Sequence, residues 1–118
     1  SMKITIEYFN NLKLEKSQKK YLILGDMNEL GKNSEKYHKD LIDQITKKRL
    51  ENIILSGKFM EIALSKNIKN ENILLLDKDS ILDYLVKKVN KNDIILIKGS
   101  NTSNTNDVAK ELLNRKEL

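Results

Sequence analysis

Two short stretches hold most of the side chains able to do chemistry. The first, Gly25-Asp26-Met27-Asn28-Glu29-Leu30-Gly31, sets two carboxylates between two glycines. The second, Lys98-Gly99-Ser100-Asn101-Thr102, offers one cation beside hydroxyl and amide groups. Brought together, they suit a zwitterion: Asp26 and Glu29 attract an ammonium, and Lys98 with nearby backbone N–H groups attracts a carboxylate or phosphate. Asn28, Gly99, Ser100 and Asn101 complete the candidate binding set, with Gly25 and Gly31 supporting the loop. Small amino acids and peptides are zwitterions of this kind. A local reading stands beside it, in which Asp26 and Glu29 bond to their own loop's amides and Lys98 points to water, since turns favour Asp and Gly for local reasons.

Other chemistry-bearing residues are more isolated. His38 is the only histidine, on the same side of its segment as Leu41, Ile42 and Ile45. Alone it builds neither a histidine metal cluster nor a nucleophilic triad, so no metal site is expected. It reads as an edge-of-core histidine bracing the preceding loop, with direct ligand contact as the alternative. Asp77-Lys78-Asp79 has the look of a magnesium site, but acids at a helix start are stabilised by the macrodipole without any metal, and the helix reading is preferred. Neither the Gly-x-x-x-x-Gly-Lys-Ser/Thr phosphate loop nor Gly-x-Gly-x-x-Gly occurs, so the chain is not expected to bind ATP or a dinucleotide by itself.

The elements that must position these residues follow from hydrophobic patterning. Four apolar runs, at residues 21–25, 52–57, 72–76 and 93–99, are continuous rather than alternating, which predicts strands of a parallel sheet covered on both faces. Helical spacing lies between them. Ser34 is placed to cap a helix carrying Tyr37, Leu41, Ile42, Ile45 and Leu50. Phe59, Ile62 and Ala63 mark a shorter helix. Ser80 with Asp83 makes a capping-box-like start before Ile81, Leu82, Leu85, Val86 and Val89. Val108, Ala109, Leu112 and Leu113 mark the last helix, and Met2, Ile6, Phe9 and Leu12 the first. The expectation is an α/β, Rossmann-like three-layer domain, with a mainly parallel sheet of about four strands in the order 3-2-1-4 and helices on both faces. In that order the loops after the first and fourth strands flank one crevice at the topological switch point, where open α/β sheets bind ligands. Those are the two stretches with which the chemistry began.

Composition bounds the rest. The 118 residues, with neither second-domain nor repeat signals, predict a single domain over 1–118, and Ser1 ahead of Met2 reads as a remnant of tag removal. Without cysteine there is neither a disulfide scaffold nor a thiolate metal site. No run approaches the ~18 apolar residues of a membrane span, and no signal segment opens the chain, so a cytoplasmic protein without membrane insertion is expected. The net charge of +5 comes from lysines interspersed with acids along every segment rather than from clustered arginines and aromatics, which argues against a nucleic-acid partner.

Taken together, Leu24-Gly25-Asp26-Met27-Asn28-Glu29-Leu30-Gly31, His38, Ser56-Gly57 and Asp93-Ile94-Ile95-Leu96-Ile97-Lys98-Gly99-Ser100 resemble the C-terminal domain of the Mur ligases, over nearly the whole chain. Within that family the pattern is most similar to the type that joins D-alanyl-D-alanine to a UDP-N-acetylmuramoyl-tripeptide. The resemblance implies a three-domain, ATP-dependent, amide-forming enzyme of cytoplasmic peptidoglycan synthesis. This chain would be the third domain, which presents the incoming dipeptide and holds no catalytic residue of its own. ATP and Mg would be held by the central domain of the same polypeptide, and the isolated third domain would be inactive. Where the family often has Arg after Lys-Gly-Ser, Asn101 stands here, which shifts more of the carboxylate binding to Lys98 or a backbone amide. Two other readings remain: a phosphoacceptor signalling domain using Asp77 with Lys98, and a metal-dependent nucleic-acid enzyme using Glu29, Asp77 and Asp79.

Overall fold

The computed structural model describes residues 1–66, 69–100 and 104–114. Among them helices and strands alternate as α1 (Met2–Asn11), β1 (Lys20–Gly25), α2 (Ser34–Lys47), β2 (Ile53–Ser56), α3 (Lys58–Ser65), β3 (Ile73–Leu75), α4 (Lys78–Lys88), β4 (Ile94–Lys98) and α5 (Asn104–Asn114), with a single 3₁₀ turn at Gly31–Asn33 leading into α2. All four strands pair in parallel in the order β3-β2-β1-β4, as expected from the sequence.

The period of two along a strand divides the core. Leu22 and Leu24 of β1 face a layer built from Met2, Ile6 and Phe9 of α1, Leu41, Ile42 and Ile45 of α2, and Met60 and Ala63 of α3. Ile23, between them, faces the opposite layer with Ile81, Leu82 and Leu85 of α4 and Val108 of α5. Enclosing each Leu or Ile in this way stabilises the fold by roughly 1.5–3 kcal/mol. The chain steps from β1 to β2 to β3 with α2 and α3 on one face. It then returns across the sheet through α4 on the other face to reach β4. Right-handed crossovers require the helix layer to change where the direction of travel reverses, and this places the switch between β1 and β4.

Three expectations need correction. Continuous apolar runs predict coverage on both faces, but only the central strands have it. Ile53–Ser56 is buried throughout, whereas β4 is only partly buried and Leu74 of β3 is 37% exposed. An edge strand has a neighbour on one side only. Ser34 does not cap α2: the chain is already helical at Asn33, so Ser34 falls inside the first turn and its buried hydroxyl has no hydrogen-bond partner among the described residues. Nor does Ser80 cap α4. The helix begins earlier, at Lys78, because the extended Asp77 accepts the Ser80 N–H at 2.9 Å.

Lys20 fixes how α1 lies. Its ammonium donates to the carbonyls of Phe9, Asn10 and Leu12 at 2.6, 3.3 and 3.2 Å, and sits 4.8 Å from the centre of the Phe9 ring. Burial pushes its pKa below the ordinary lysine value. The C-terminal end of α1 is thereby tied to the start of β1, so its N-terminal end lies toward the end of the sheet where β1 and β4 finish. No helix of the described residues is long and apolar enough to cross a membrane.

Candidate functional site

Register brings the two loops together. Leu24 pairs with Lys98 and Gly25 with Ser56, so β1, β2 and β4 all end at one edge of the sheet. Beyond that edge the Ser100 N–H donates to the Asp26 carbonyl at 3.0 Å, and the Asn28 N–H donates to Ser100 Oγ at 2.7 Å. The Ser100 hydroxyl also lies 3.4 Å from Met27 Sδ. Glu29 and Lys98 are exposed and Asn28 and Gly99 are partly buried around this seam. Glu29 has φ +65° and Gly31 φ +58°, left-handed conformations that turn the loop sharply before α2. Asn101 lies outside the described residues.

Asp26 is buried, and both its carboxylate oxygens are engaged. Oδ2 accepts the Phe59 N–H at 3.1 Å and Oδ1 accepts the Met60 N–H at 3.0 Å. These are first-turn amides of α3, whose own N-cap is Gly57 and therefore has no side chain to offer. Asp26 supplies from β1 what the local cap lacks. Gly57 must stay small for this to happen: its φ is +122°, and a Cβ there would stand 2.4 Å from both Cγ and Oδ1 of Asp26. With Asp26 turned to α3, the exposed Glu29 is the acid of this loop left to face solvent.

His38 braces the loop from the other side. Its fully buried ring accepts the Met27 N–H on Nε2 at 3.0 Å and donates from Nδ1 to the Ser34 carbonyl at 2.6 Å. It stacks on Phe59, with ring centres 5.4 Å apart, and meets Tyr37 edge-on at 5.5 Å. The turn from β2 into α3 thus belongs to the site, and the chemistry-based reading of the loops missed it. The signal available was Gly57, directly between a parallel strand and a helix, where a glycine often marks close approach of another chain segment.

The Asp77 loop lies elsewhere. Order β3-β2-β1-β4 puts Asp77 and Lys98 at opposite edges of the sheet, three strand spacings or roughly 14 Å apart. Asp77 caps α4, and the Ser80 amide holds its carboxyl below the usual 3.8. Among the described residues no group of three or more His, Asp or Glu side chains could hold a metal ion, so Glu29, Asp77 and Asp79 do not assemble one. A cleft of about 520 Å³ between α1 and α2 is lined by side chains of both signs, such as Lys3, Asp40 and Lys47, with no convergent donor set.

The fold and the seam together define a parallel α/β domain whose loops after β1 and β4 meet at the topological switch point. A family model described as "Mur ligase, glutamate ligase domain" matches residues 1–101. The chain belongs to the Mur ligase family. Two curated relatives are UDP-N-acetylmuramoyl-tripeptide–D-alanyl-D-alanine ligases. The protein of Borreliella burgdorferi is 32% identical over 91 residues, covering 75% of this chain and 20% of the relative. That of Bacillus subtilis is 29% identical over 117 residues, covering 96% and 25%. Among solved structures, a MurF from Acinetobacter baumannii superposes with a TM-score of 0.77 at 21% identity, covering 98% of this chain and 26% of that one. MurF ligase from Thermotoga maritima, solved in complex with ADP, gives 0.70 at 22% identity, covering 98% and 25%. At such identity the likeness shows the fold. The chain spans 20–26% of the length of these relatives.

Proposed function

We propose that this chain is the third domain of a longer, ATP-dependent, amide-forming ligase of the MurF type, adding D-alanyl-D-alanine to a UDP-N-acetylmuramoyl-tripeptide in cytoplasmic peptidoglycan precursor synthesis. Residues 1–118 form one domain, and its task is to bind the dipeptide nucleophile and present it to a central domain of the same polypeptide. The observation that carries this reading is the seam in which Ser100 bonds to both Asp26 and Asn28, joining two chemically loaded loops at the switch point.

Each residue then has a task. Glu29 attracts the dipeptide ammonium, Lys98 its carboxylate, and Asn28, Gly99, Ser100 and Asn101 supply polar partners. Asp26, Gly25, Gly31 and His38 hold the loop in place. The described residues do not fit a nucleotide–metal site, since neither a phosphate loop nor an acidic cluster is among them, and ATP and Mg are assigned to the central domain. Holding the amine in line with an activated carboxyl contributes by orientation, and closure against the central domain excludes water.

The test is amide chemical-shift mapping of the 118-residue chain with D-alanyl-D-alanine, using the L,L-dipeptide as control, alongside Lys98→Ala and Glu29→Gln in the full-length polypeptide. Expected are shifts at Asn28, Glu29 and Lys98, and a higher KM for the dipeptide in both variants. Shifts confined to the Asp77 loop, or an unchanged KM in both variants, would refute the assignment.

A further inference from the structure

Two consecutive amides of the β1 loop are held from opposite sides. Met27 N–H is bonded to His38 on α2, and Asn28 N–H to Ser100 beyond β4. The loop is therefore strung between two elements of the domain just before Glu29, whose left-handed backbone persists only where its surroundings over-determine it. The imidazole end of this arrangement allows one protonation pattern. A carbonyl only accepts, so the Ser34 carbonyl requires a proton on Nδ1; an amide N–H only donates, so Met27 requires the Nε2 lone pair. The ring is the neutral Nδ1–H tautomer, fixed by backbone groups that cannot exchange roles. Its face lies on Phe59, whose own amide is bonded to Asp26. One side chain on α2 thus touches both the β1 loop and the first turn of α3.

We infer that His38 is a positioning residue of the ligase. By accepting the Met27 N–H it sets where Asn28 and Glu29 stand relative to Ser100 and Lys98, and hence how the nucleophile is presented. This rests on the crevice being the dipeptide site. Stacking on Phe59 alone would be served as well by a phenylalanine, without the cost of burying two polar nitrogens. What only histidine provides at this point is ring packing combined with an acceptor aimed at the Met27 amide.

Two substitutions separate those contributions. His38→Gln keeps an acceptor near the Nε2 position and loses the ring; His38→Phe keeps the ring and loses the acceptor. A packing role makes Phe the milder change in every measurement. The positioning role predicts a crossing. His38→Phe remains the more heat-stable of the two, yet loses about tenfold or more in kcat/KM for D-alanyl-D-alanine in the full-length ligase, mostly through KM, while His38→Gln stays within about threefold of the wild type. Where Phe proves too bulky to fold, His38→Leu takes its place.

In the 118-residue chain, His38→Phe shifts the Asn28 and Glu29 amide resonances and His38→Gln leaves them near their original positions. The wild-type imidazole ¹⁵N spectrum shows a protonated Nδ1 and an unprotonated Nε2. The opposite tautomer, or a Phe variant at least as active as the Gln variant, overturns the proposal. If the wild-type full-length polypeptide fails to join the dipeptide, the ligase reading falls. The amide shifts and the tautomer then decide the loop-holding role by themselves.

Discussion

Two aspartates of this chain each follow a strand, and each caps a helix, but they do so across very different distances. Asp77 caps α4 from the adjoining position, accepting the Ser80 amide three residues on, at an exposed edge of the sheet. Asp26 caps α3 from another strand altogether, reaching amides 33 and 34 residues away, and is buried in doing so. The local cap stabilises one helix. The remote cap binds the end of β1 to the turn after β2, beneath the loop that carries Asn28 and Glu29. The same side chain chemistry therefore closes a helix end locally in one place and ties two separate segments of the chain together in the other.

The sharpest way to break this contrast is Gly57→Ala. The added Cβ strains a backbone at φ +122° and collides with the Asp26 carboxylate, and the expected loss is about 3 kcal/mol or more in chemical denaturation. Asp26→Ala comes next, at about 2–3 kcal/mol, because two first-turn amides of α3 lose their acceptor. Combining the two sharpens the point: once Asp26 is Ala, Gly57→Ala costs visibly less than it does alone, since the group it strikes has gone. Simple addition of the two effects would mean that Asp26 and Gly57 are not in contact.

Asp77→Ala has the smallest effect of the substitutions, a modest fall in melting temperature with no change in the amide shifts of Asn28 and Ser100. Its pH dependence has a definite sign. Backbone N–H groups hold Asp77 and Asp93 below the ordinary 3.8, so the folded state binds fewer protons than the unfolded chain in the carboxylate range. Their contribution is fully present above that range and is lost as pH falls through the depressed folded-state values. In acid titrations followed by circular dichroism, Asp77→Ala and Asp93→Ala should therefore lose less stability on acidification than the wild type does.

Much of the architecture was legible before any coordinates. Runs such as residues 21–24 and 53–55 are apolar at every position, which fits a strand covered on both faces, and handedness then leaves few orders for four such strands. Helix starts were read less well at Ser34 and Ser80. A serine there fits a cap by type, and the choice between neighbouring candidates depends on which residue is extended, as Asp77 is.

The site divides in the same way. Residue types alone singled out Asp26, Glu29 and Lys98 as candidates, since carboxylates between glycines and a lysine closing a strand are local features of the chain. Where each side chain turns is a different matter. Whether Asp26 faces a ligand or a helix depends on how closely Gly57 allows α3 to approach, and whether His38 braces the loop depends on α2 lying against Met27 and Phe59. Those are contacts between residues distant in sequence, and packing of the folded chain alone decides them. Local patterning determined the elements and their order; close approach of separate segments determined which polar groups were spent on holding the site and which remained to face solvent.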